Sequence, residues 1–168
     1  SRVLFRSSPV LPPNTANDTL SATTGVPGWT TTARDTPQVW ANTVNGLPAA
    51  AGVNQMEICT QSTDQTVWQV VTNLSTNCPA TFCFKYTGRF GLAGNTYNND
   101  FTVTLSTGNS VSGNLLSVDL DPTIYSIAGW TTYCFSFIPP TSTITIGFRG
   151  HPHYTNGYPT AGGAHIDD

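Results

Sequence analysis

Apolar and polar positions alternate along several short runs of this chain, most clearly in two of them. Residues 81–86 read TFCFKY and residues 132–137 read TYCFSF, with an aromatic residue at every second position. Because successive side chains of a β-strand point to opposite faces, each run predicts a strand with one apolar and one polar face. Cys83 and Cys134 fall on the polar faces.

Other short runs rich in β-branched and aromatic residues follow at steady intervals, with Gly, Asn, Pro and Asp between them. Together they predict about eight strands, at residues 37–40, 55–59, 66–72, 81–87, 101–105, 131–138, 143–148 and from 164 onward. The gap at 106–130 holds either one more strand or a long surface loop. No segment shows a sustained 3.6-residue period, so we expect little helix. The prediction is an all-β, two-sheet antiparallel β-sandwich of the jelly-roll type.

Composition narrows the classes of partner. The chain has 168 residues, which fits one domain, and only 9% of them are charged, with a net charge of -3. It contains no basic run and no apolar stretch of the ~20 residues that span a bilayer. We therefore expect neither a nucleic acid nor a membrane as partner.

The two ends of the chain look incomplete. Residues 2–7, RVLFRS, resemble the translation of a sequencing adapter, so we interpret residues 1–7 as a non-native leader and 8–168 as a single β-sandwich domain. No signal peptide is visible, and the chain stops in what reads as the opening of a strand. We expect the parent protein to extend beyond both ends.

Four cysteines are an even number, and two of them lie on polar strand faces, which favours disulfides in an oxidising compartment. The pairing that we prefer among three connectivities is Cys59 with Cys78 and Cys83 with Cys134. Four free thiols in a cytosolic protein are the alternative.

Two N-glycosylation acceptor patterns begin at Asn17 and Asn73. They matter if the chain is secreted by a eukaryotic host, and they agree with a secreted, extracellular or cell-surface location.

The order of the motifs resembles a known family. The motifs are PVLPP (9–13), PGWTTT (27–32), VW (39–40), GVNQMEI (52–58), TVWQVV (66–71), FKYTGRFG (84–91), FTVTL (101–105), GWTTYCFSF (129–137), TITIGF (143–148) and AHIDD (164–168). This order is similar to that of secreted galactose-binding-like jelly rolls, above all the DUF642-type and related carbohydrate-binding modules. The resemblance implies binding of cell-wall or other polysaccharide, without catalysis by the module.

Sugar recognition needs a flat apolar surface for the C–H face of a pyranose and hydrogen-bonding groups at its rim. Trp40, beside polar Gln38, is the best candidate platform, although the resemblance also places it in a strand that closes the sandwich. The sequence context of Trp68 and Trp130 favours packing in the core or at a sheet edge over ligand contact.

A polar rim is predicted after the strand at 81–87. Arg89 lies between glycines in TGRFG, and its rigid donor fork suits sugar hydroxyls or a uronate carboxylate. Tyr97, Asn98 and Asn99 follow and complete the same rim. A salt bridge from Arg89 to Asp100 is the structural alternative.

The segment GHPHY, at residues 150–154, is predicted to add His153 and Tyr154 to the rim of the binding face. Zinc binding by the two histidines, with His165 or Asp167 as a further ligand, is the less favoured reading because such spacing is common in loops.

No cofactor is required by the sequence, but Asp167 and Asp168 offer hard oxygen ligands for a structural Ca²⁺. The family resemblance makes calcium plausible at this edge. However, residues 4–8 stand where the family has an acidic residue near its calcium site, and a solvated strand end is the alternative.

Catalytic signatures are weak. Glycoside hydrolysis needs paired carboxylates, and the chain has a single glutamate and scattered aspartates, with no nucleophile elbow. The leading hypothesis is a secreted, non-catalytic carbohydrate-binding module. A structural subunit of an extracellular coat or filament that self-associates through strand contacts is the first alternative, and a polysaccharide-cleaving jelly-roll enzyme is the second.

Overall fold

A computed structural model describes residues 18–19, 28–31, 38–41, 48–52, 54–58, 65–88, 100–120, 129–150, 154–155, 158–159 and 164–167. The strands within these residues are β1 (Asp18–Thr19), β2 (Thr30–Thr31), β3 (Gln38–Ala41), β4 (Asn54–Ile58), β5 (Gln65–Val71), β6 (Ala80–Thr87), β7 (Phe101–Thr107), β8 (Leu116–Leu120), β9 (Thr131–Phe137), β10 (Ile144–Gly150), β11 (Tyr154–Thr155), β12 (Tyr158–Pro159) and β13 (Ala164–Asp167).

All eight predicted strands are present, as β3–β7, β9, β10 and β13. The gap at 106–130 holds one more strand, β8, and the described residues contain no helix. No helical segment long and apolar enough to cross a bilayer therefore occurs in the described part of the chain. Residues 1–7 and the chain's two ends lie outside the described residues.

The strands form two antiparallel sheets. Sheet A has the order β1-β3-β4-β13-β6-β9, sheet B has the order β2-β5-β10-β7-β8, and β11 and β12 form a separate two-stranded pair. The inner faces of sheets A and B share one apolar core, which confirms the predicted two-sheet β-sandwich. In this arrangement sheet edges are formed by β1 and β9 in sheet A and by β2 and β8 in sheet B.

Aromatic side chains at alternate positions join the two sheets. Phe82 and Phe84 of β6 are buried, and the ring of Phe84 meets that of Phe148 on β10 edge-on, with centroids 5.0 Å apart. Phe101 of β7 completes this group at 6.4 Å from Phe84. Such aromatic contacts bury large apolar areas and favour tilted geometry.

The disulfide predicted between β6 and β9 is present. Cys83 and Cys134 are directly opposite each other, with Cα atoms 4.2 Å apart, on the outer face of sheet A. Beside them the hydroxyls of Thr81 and Ser136 are 2.7 Å apart. The covalent link and this hydrogen bond both lie on the polar face that the alternation predicted.

The second predicted disulfide is wrong, because Cys78 is a free, exposed cysteine. β13 lies between β4 and β6 and pairs with both. Through this pairing, Ile58 of β4 lies at the end of β6 that is formed by Thr87. Cys78 comes just before Ala80, which forms the opposite end of β6. The eight residues of β6 span about 25 Å. A disulfide requires Cα atoms within ~7 Å. Cys59 itself lies outside the described residues, but its neighbour Ile58 is at the wrong end of the sheet.

Asn73 lies in the exposed turn between β5 and β6, in the left-handed region of φ that asparagine tolerates. Its exposure is compatible with glycosylation, which stays a prediction. Asn17 lies outside the described residues.

Removing the Cys83–Cys134 link should lower stability, because it closes a loop with a sequence separation of 51 residues. The Cys83→Ala/Cys134→Ala double variant is expected to lose about 2–4 kcal/mol of unfolding free energy. Urea denaturation monitored by circular dichroism, with and without reductant, measures this loss. Reductant should shift the curve of the wild type and leave that of the double variant unchanged; an unshifted wild-type curve would contradict the stabilising role.

Candidate functional site

The outer face of sheet A is polar, and its part on β4, β13 and the Thr87 end of β6 is buried. Gln55, Glu57, Thr87, His165 and Asp167 all lie on the side of their strands opposite to core residues, and each is at most 4% exposed. Burying so many polar groups is costly unless they are hydrogen-bonded, so this face must be covered by hydrogen-bonding chain.

Residues 48–52, which we call the strap, lie across this face. They belong to the connection between β3 and β4. The amide N–H of Ala51 donates to Oδ2 of Asp167 on β13 at 3.0 Å, and Nε1 of Trp130, just before β9, donates to the carbonyl oxygen of Pro48 at 3.0 Å. The strap therefore covers this face at Asp167, whereas Cys83 is half-buried and Cys134 and Ser136 are exposed on β6 and β9.

The hydrogen bond from the strap explains in part why the carboxylate of Asp167 can be buried. Its Oδ2 accepts the Ala51 hydrogen bond, and the side chain is buried. Within the described residues, no group of three or more His, Cys, Asp or Glu side chains is placed to hold a metal ion. Asp168 lies outside those residues, so the calcium site at Asp167 and Asp168 stays a prediction.

The outer face of sheet B carries a different row of side chains. Strand pairing places Trp68, Gly147, Thr104 and Ser117 side by side across β5, β10, β7 and β8. Because Val67 is a core residue, Trp68 points to the opposite side, where it is half-buried. Of the two packing positions predicted for Trp68, the core is therefore excluded, and packing near the sheet edge stays a prediction.

The centre of this row has no side chain. A Cβ atom at Gly147 would lie 2.6 Å from Oγ1 of Thr104 and 3.8 Å from Cβ of Trp68. The Thr104 side chain thus occupies the space that a residue at position 147 would need. The result is a strip beside Trp68, formed by the Gly147 backbone and by threonine side chains that are at most 8% exposed.

The turn at residues 108–115 forms a wall at one end of the strip. Gly108 accepts a hydrogen bond from Oγ1 of Thr145 at 2.6 Å, and the N–H of Gly113 donates to Oγ of Ser106 at 2.8 Å. Ser106 and Thr145 are fully buried as a result. The turn narrows the open part of the face to the side that carries Trp68.

Charged groups lie at the other end of the strip. Arg149 is exposed, and its strand neighbour Thr102 donates through Oγ1 to Oδ1 of exposed Asp119 at 2.6 Å. This row offers both donors and acceptors next to an aromatic surface. We call the surface formed by Thr66, Trp68, Thr102, Thr104, Ser117, Asp119, Gly147 and Arg149 the sheet B face.

None of the predicted ligand-binding residues is among the described residues that form the sheet B face. Trp40 lies in β3 of sheet A, opposite Gln55, and Tyr154 lies in β11; the structure describes the backbone of both and not their side chains. The remaining predicted contacts, Arg89, Tyr97, Asn98, Asn99 and His153, lie outside the described residues.

The strand ends that border those remaining residues in sequence share one end of the sandwich. β6 ends at Thr87, β7 begins at Phe101 and β10 ends at Gly150, all at the end of the sandwich opposite to the turn at 108–115. Arg149 of the sheet B face lies at this same end.

Two further tryptophans have structural partners. Trp29 is buried in the core, with its ring centroid 6.1 Å from that of Phe148. Trp130 is half-buried and holds the strap. The sequence analysis preferred Trp40 to Trp68 as a sugar platform, although the alternation in TVWQVV carries the signal that Trp68 faces outward: it follows the core residue Val67.

Comparison with known proteins gives no family match: no family model and no curated protein matches the chain. Among solved structures, TmCBM61 in complex with β-1,4-galactotriose is similar, with 15% identity and a TM-score of 0.51 over 83% of this chain and 84% of that chain. A native family 35 carbohydrate-binding module from Clostridium thermocellum has 12% identity and a TM-score of 0.41 over 91% of this chain and 95% of that chain.

At 15% identity, the likeness to TmCBM61 shows a shared fold and no more. The chain thus has the β-sandwich fold of a carbohydrate-binding module, as the motif order predicted. The DUF642-type family is not shown by these comparisons.

A methyl group at position 147 should destabilise the protein by colliding with the Thr104 side chain. We expect Gly147→Ala to lower the unfolding free energy by about 1–3 kcal/mol, because the new Cβ overlaps Oγ1 of Thr104. In a Thr104→Ala background the same substitution should cost less than about 1 kcal/mol, since Oγ1 is gone. The Thr104 hydroxyl is buried and has no hydrogen-bond partner, so its loss breaks no hydrogen bond. Equal costs of Gly147→Ala in the two backgrounds, in urea denaturation, would disprove the contact.

Proposed function

We propose that this chain is a non-catalytic carbohydrate-binding module that binds polysaccharide on the sheet B face. One observation carries the proposal: Trp68 lies outside the core and is half-buried, on a face whose exposed side chains are Ser117, Asp119 and Arg149. The strap covers the outer face of sheet A at Asp167. The sheet B face combines, in its described part, a half-buried aromatic side chain with exposed charged groups.

The chemistry of the sheet B face suits a sugar. The indole of Trp68 provides an apolar surface for the C–H groups of a pyranose ring. The exposed hydroxyl of Ser117 can donate to or accept from sugar hydroxyls, and the Arg149 guanidinium adds fixed donors at one end. Asp119 adds an acceptor in the same row.

The absence of catalysis is part of the proposal. Hydrolysis of a glycosidic bond normally uses two carboxyl groups about 5–10 Å apart. Among the described residues of the sheet B face, Asp119 is the one carboxylate, and it accepts a hydrogen bond from Thr102. The cleaving-enzyme alternative predicts new reducing or unsaturated ends after incubation with polysaccharide.

The proposal also includes where the protein is located and which class of glycan it binds. A disulfide on an exposed sheet face supports an extracellular or cell-surface location, because such links persist in oxidising compartments. The similar fold of TmCBM61, whose structure contains β-1,4-galactotriose, makes β-1,4-galactan a sensible first ligand to test. DUF642-type membership, with Arg89, Tyr97, Asn98, Asn99 and His153 extending the rim, agrees with the same function.

Trp68→Ala should weaken glycan binding at least about tenfold, because it removes the aromatic surface of the site. Affinity gel electrophoresis over a panel of soluble polysaccharides that includes β-1,4-galactan identifies the ligand, and isothermal titration measures its Kd. Ile138→Ala is the matched control: this side chain is 61% exposed and lies away from the sheet B face, so its loss should leave the Kd unchanged.

The two possible failures can be told apart. If the wild type binds no glycan in a broad panel, carbohydrate binding itself is wrong. If Trp68→Ala binds as the wild type does while Arg89→Ala or Tyr97→Ala abolishes binding, the function stands and the sheet B face is not the site.

A further inference from the structure

Strand β9 forms an open edge of sheet A. It pairs with β6 on one side, and no described strand pairs with it on the other. Its seven residues, TTYCFSF, carry no charge and no proline. Natural sheets usually protect a long edge with charged residues, proline or a bulge, because an open edge pairs readily with another chain.

The direction of the backbone groups on β9 follows from its pairing with β6. The Cα atoms of Cys83 and Cys134 are 4.2 Å apart, which is the narrow, non-hydrogen-bonded type of antiparallel pair. In such a pair, the N–H and C=O of each residue point away from the neighbouring strand. Cys134, and with it Thr132 and Ser136 at two-residue spacing, therefore directs its backbone groups to the open edge.

Those groups are unused in the described structure. Apart from the ladder to β6, no backbone hydrogen bond within the described part of the chain involves Thr132, Cys134 or Ser136. Their side chains are exposed as well. The edge thus presents three N–H donors and three carbonyl acceptors in regular order, with no side chain that would repel an approaching strand.

The edge is complementary to itself. In an antiparallel arrangement about a two-fold axis at Cys134, Thr132 of one copy is opposite Ser136 of the other, and Cys134 is opposite its own copy. All of these residues point their N–H and C=O groups outward, so the pairing forms six hydrogen bonds. The half-buried Tyr133 of one copy then lies opposite Phe135 of the other on the inner side.

We propose that two copies of this chain associate through their β9 strands, joining their A sheets into one continuous antiparallel sheet. The interface is isologous, because the same residues contribute from both copies. We choose a second copy of this chain as the partner strand, since in this register the apolar positions of one β9 lie opposite apolar positions of the other, and polar positions lie opposite polar positions. The proposal is independent of glycan binding, because β9 and the sheet B face belong to different sheets.

The area of a single strand pair is small, so the dimer should be weak, with a Kd on the order of 100 µM. Sedimentation equilibrium of the wild type between about 10 µM and 1 mM should show the average mass rising from one chain toward two. Ser136→Pro should remain a monomer over the whole range, because proline removes an outward N–H that the monomer does not use.

Ser136→Ala is the matched control for that variant. It removes the same hydroxyl, which hydrogen-bonds Thr81, but keeps the N–H, so it should still form the dimer. Circular dichroism should show the same sheet content for both variants. A wild type that stays a monomer at 1 mM, or a dimer that persists in a folded Ser136→Pro variant, would overturn the proposal.

The register has its own test, which does not depend on the stability of the proline variant. In a background where Cys59 and Cys78 are serine, Thr132→Cys/Ser136→Cys places new cysteines opposite each other in the two copies. Oxidation should then give a covalent dimer in non-reducing electrophoresis. Thr132→Cys/Thr141→Cys, with Thr141 exposed in the turn before β10, should not; equal cross-linking of both variants would contradict the register.

Discussion

The contact between Phe84 of β6 and Phe148 of β10 determines which faces of the two sheets are inside. Their rings meet edge-on at 5.0 Å in the centre of the core. Because side chains alternate along a strand, burying Phe84 places Cys83 on the outer face of sheet A, and burying Phe148 places Gly147 on the outer face of sheet B. The disulfide and the open strip thus both follow from one aromatic contact, and strand register then places Trp68 beside Gly147.

The two outer faces differ because of one connection. The strap between β3 and β4 is held at Asp167 and Trp130, and the polar side chains of sheet A beneath it are buried. On sheet B, the turn at 108–115 covers Ser106 and Thr145, while Trp68 stays half-buried and Ser117, Asp119 and Arg149 stay exposed. The proposed glycan contact uses this exposed part of sheet B, and the proposed self-association uses the edge strand β9 of sheet A.

The fold was largely predictable from the sequence, and the site was not. Alternation located all eight predicted strands and placed Cys83 and Cys134 on polar strand faces, because both depend on local period-two patterns. Which cysteines pair depends on which strands are neighbours and at which end, which no local pattern reveals, so one preferred pairing is present and the Cys59–Cys78 pairing failed. The core position considered for Trp68 failed for a related reason: a tryptophan within an apolar run resembles a core residue until Val67 is seen to face inward.

The central claim is that the sheet B face is the glycan-contacting surface. Nuclear magnetic resonance of ¹⁵N-labelled protein, titrated with the oligosaccharide that binds, tests it most directly, because it reports every amide and indole N–H at once. The account predicts shifts of the Trp68 indole and of the Gly147, Thr104 and Arg149 amides. Shifts confined to residues 89–99 and to sheet A, with these four signals unmoved, would contradict it.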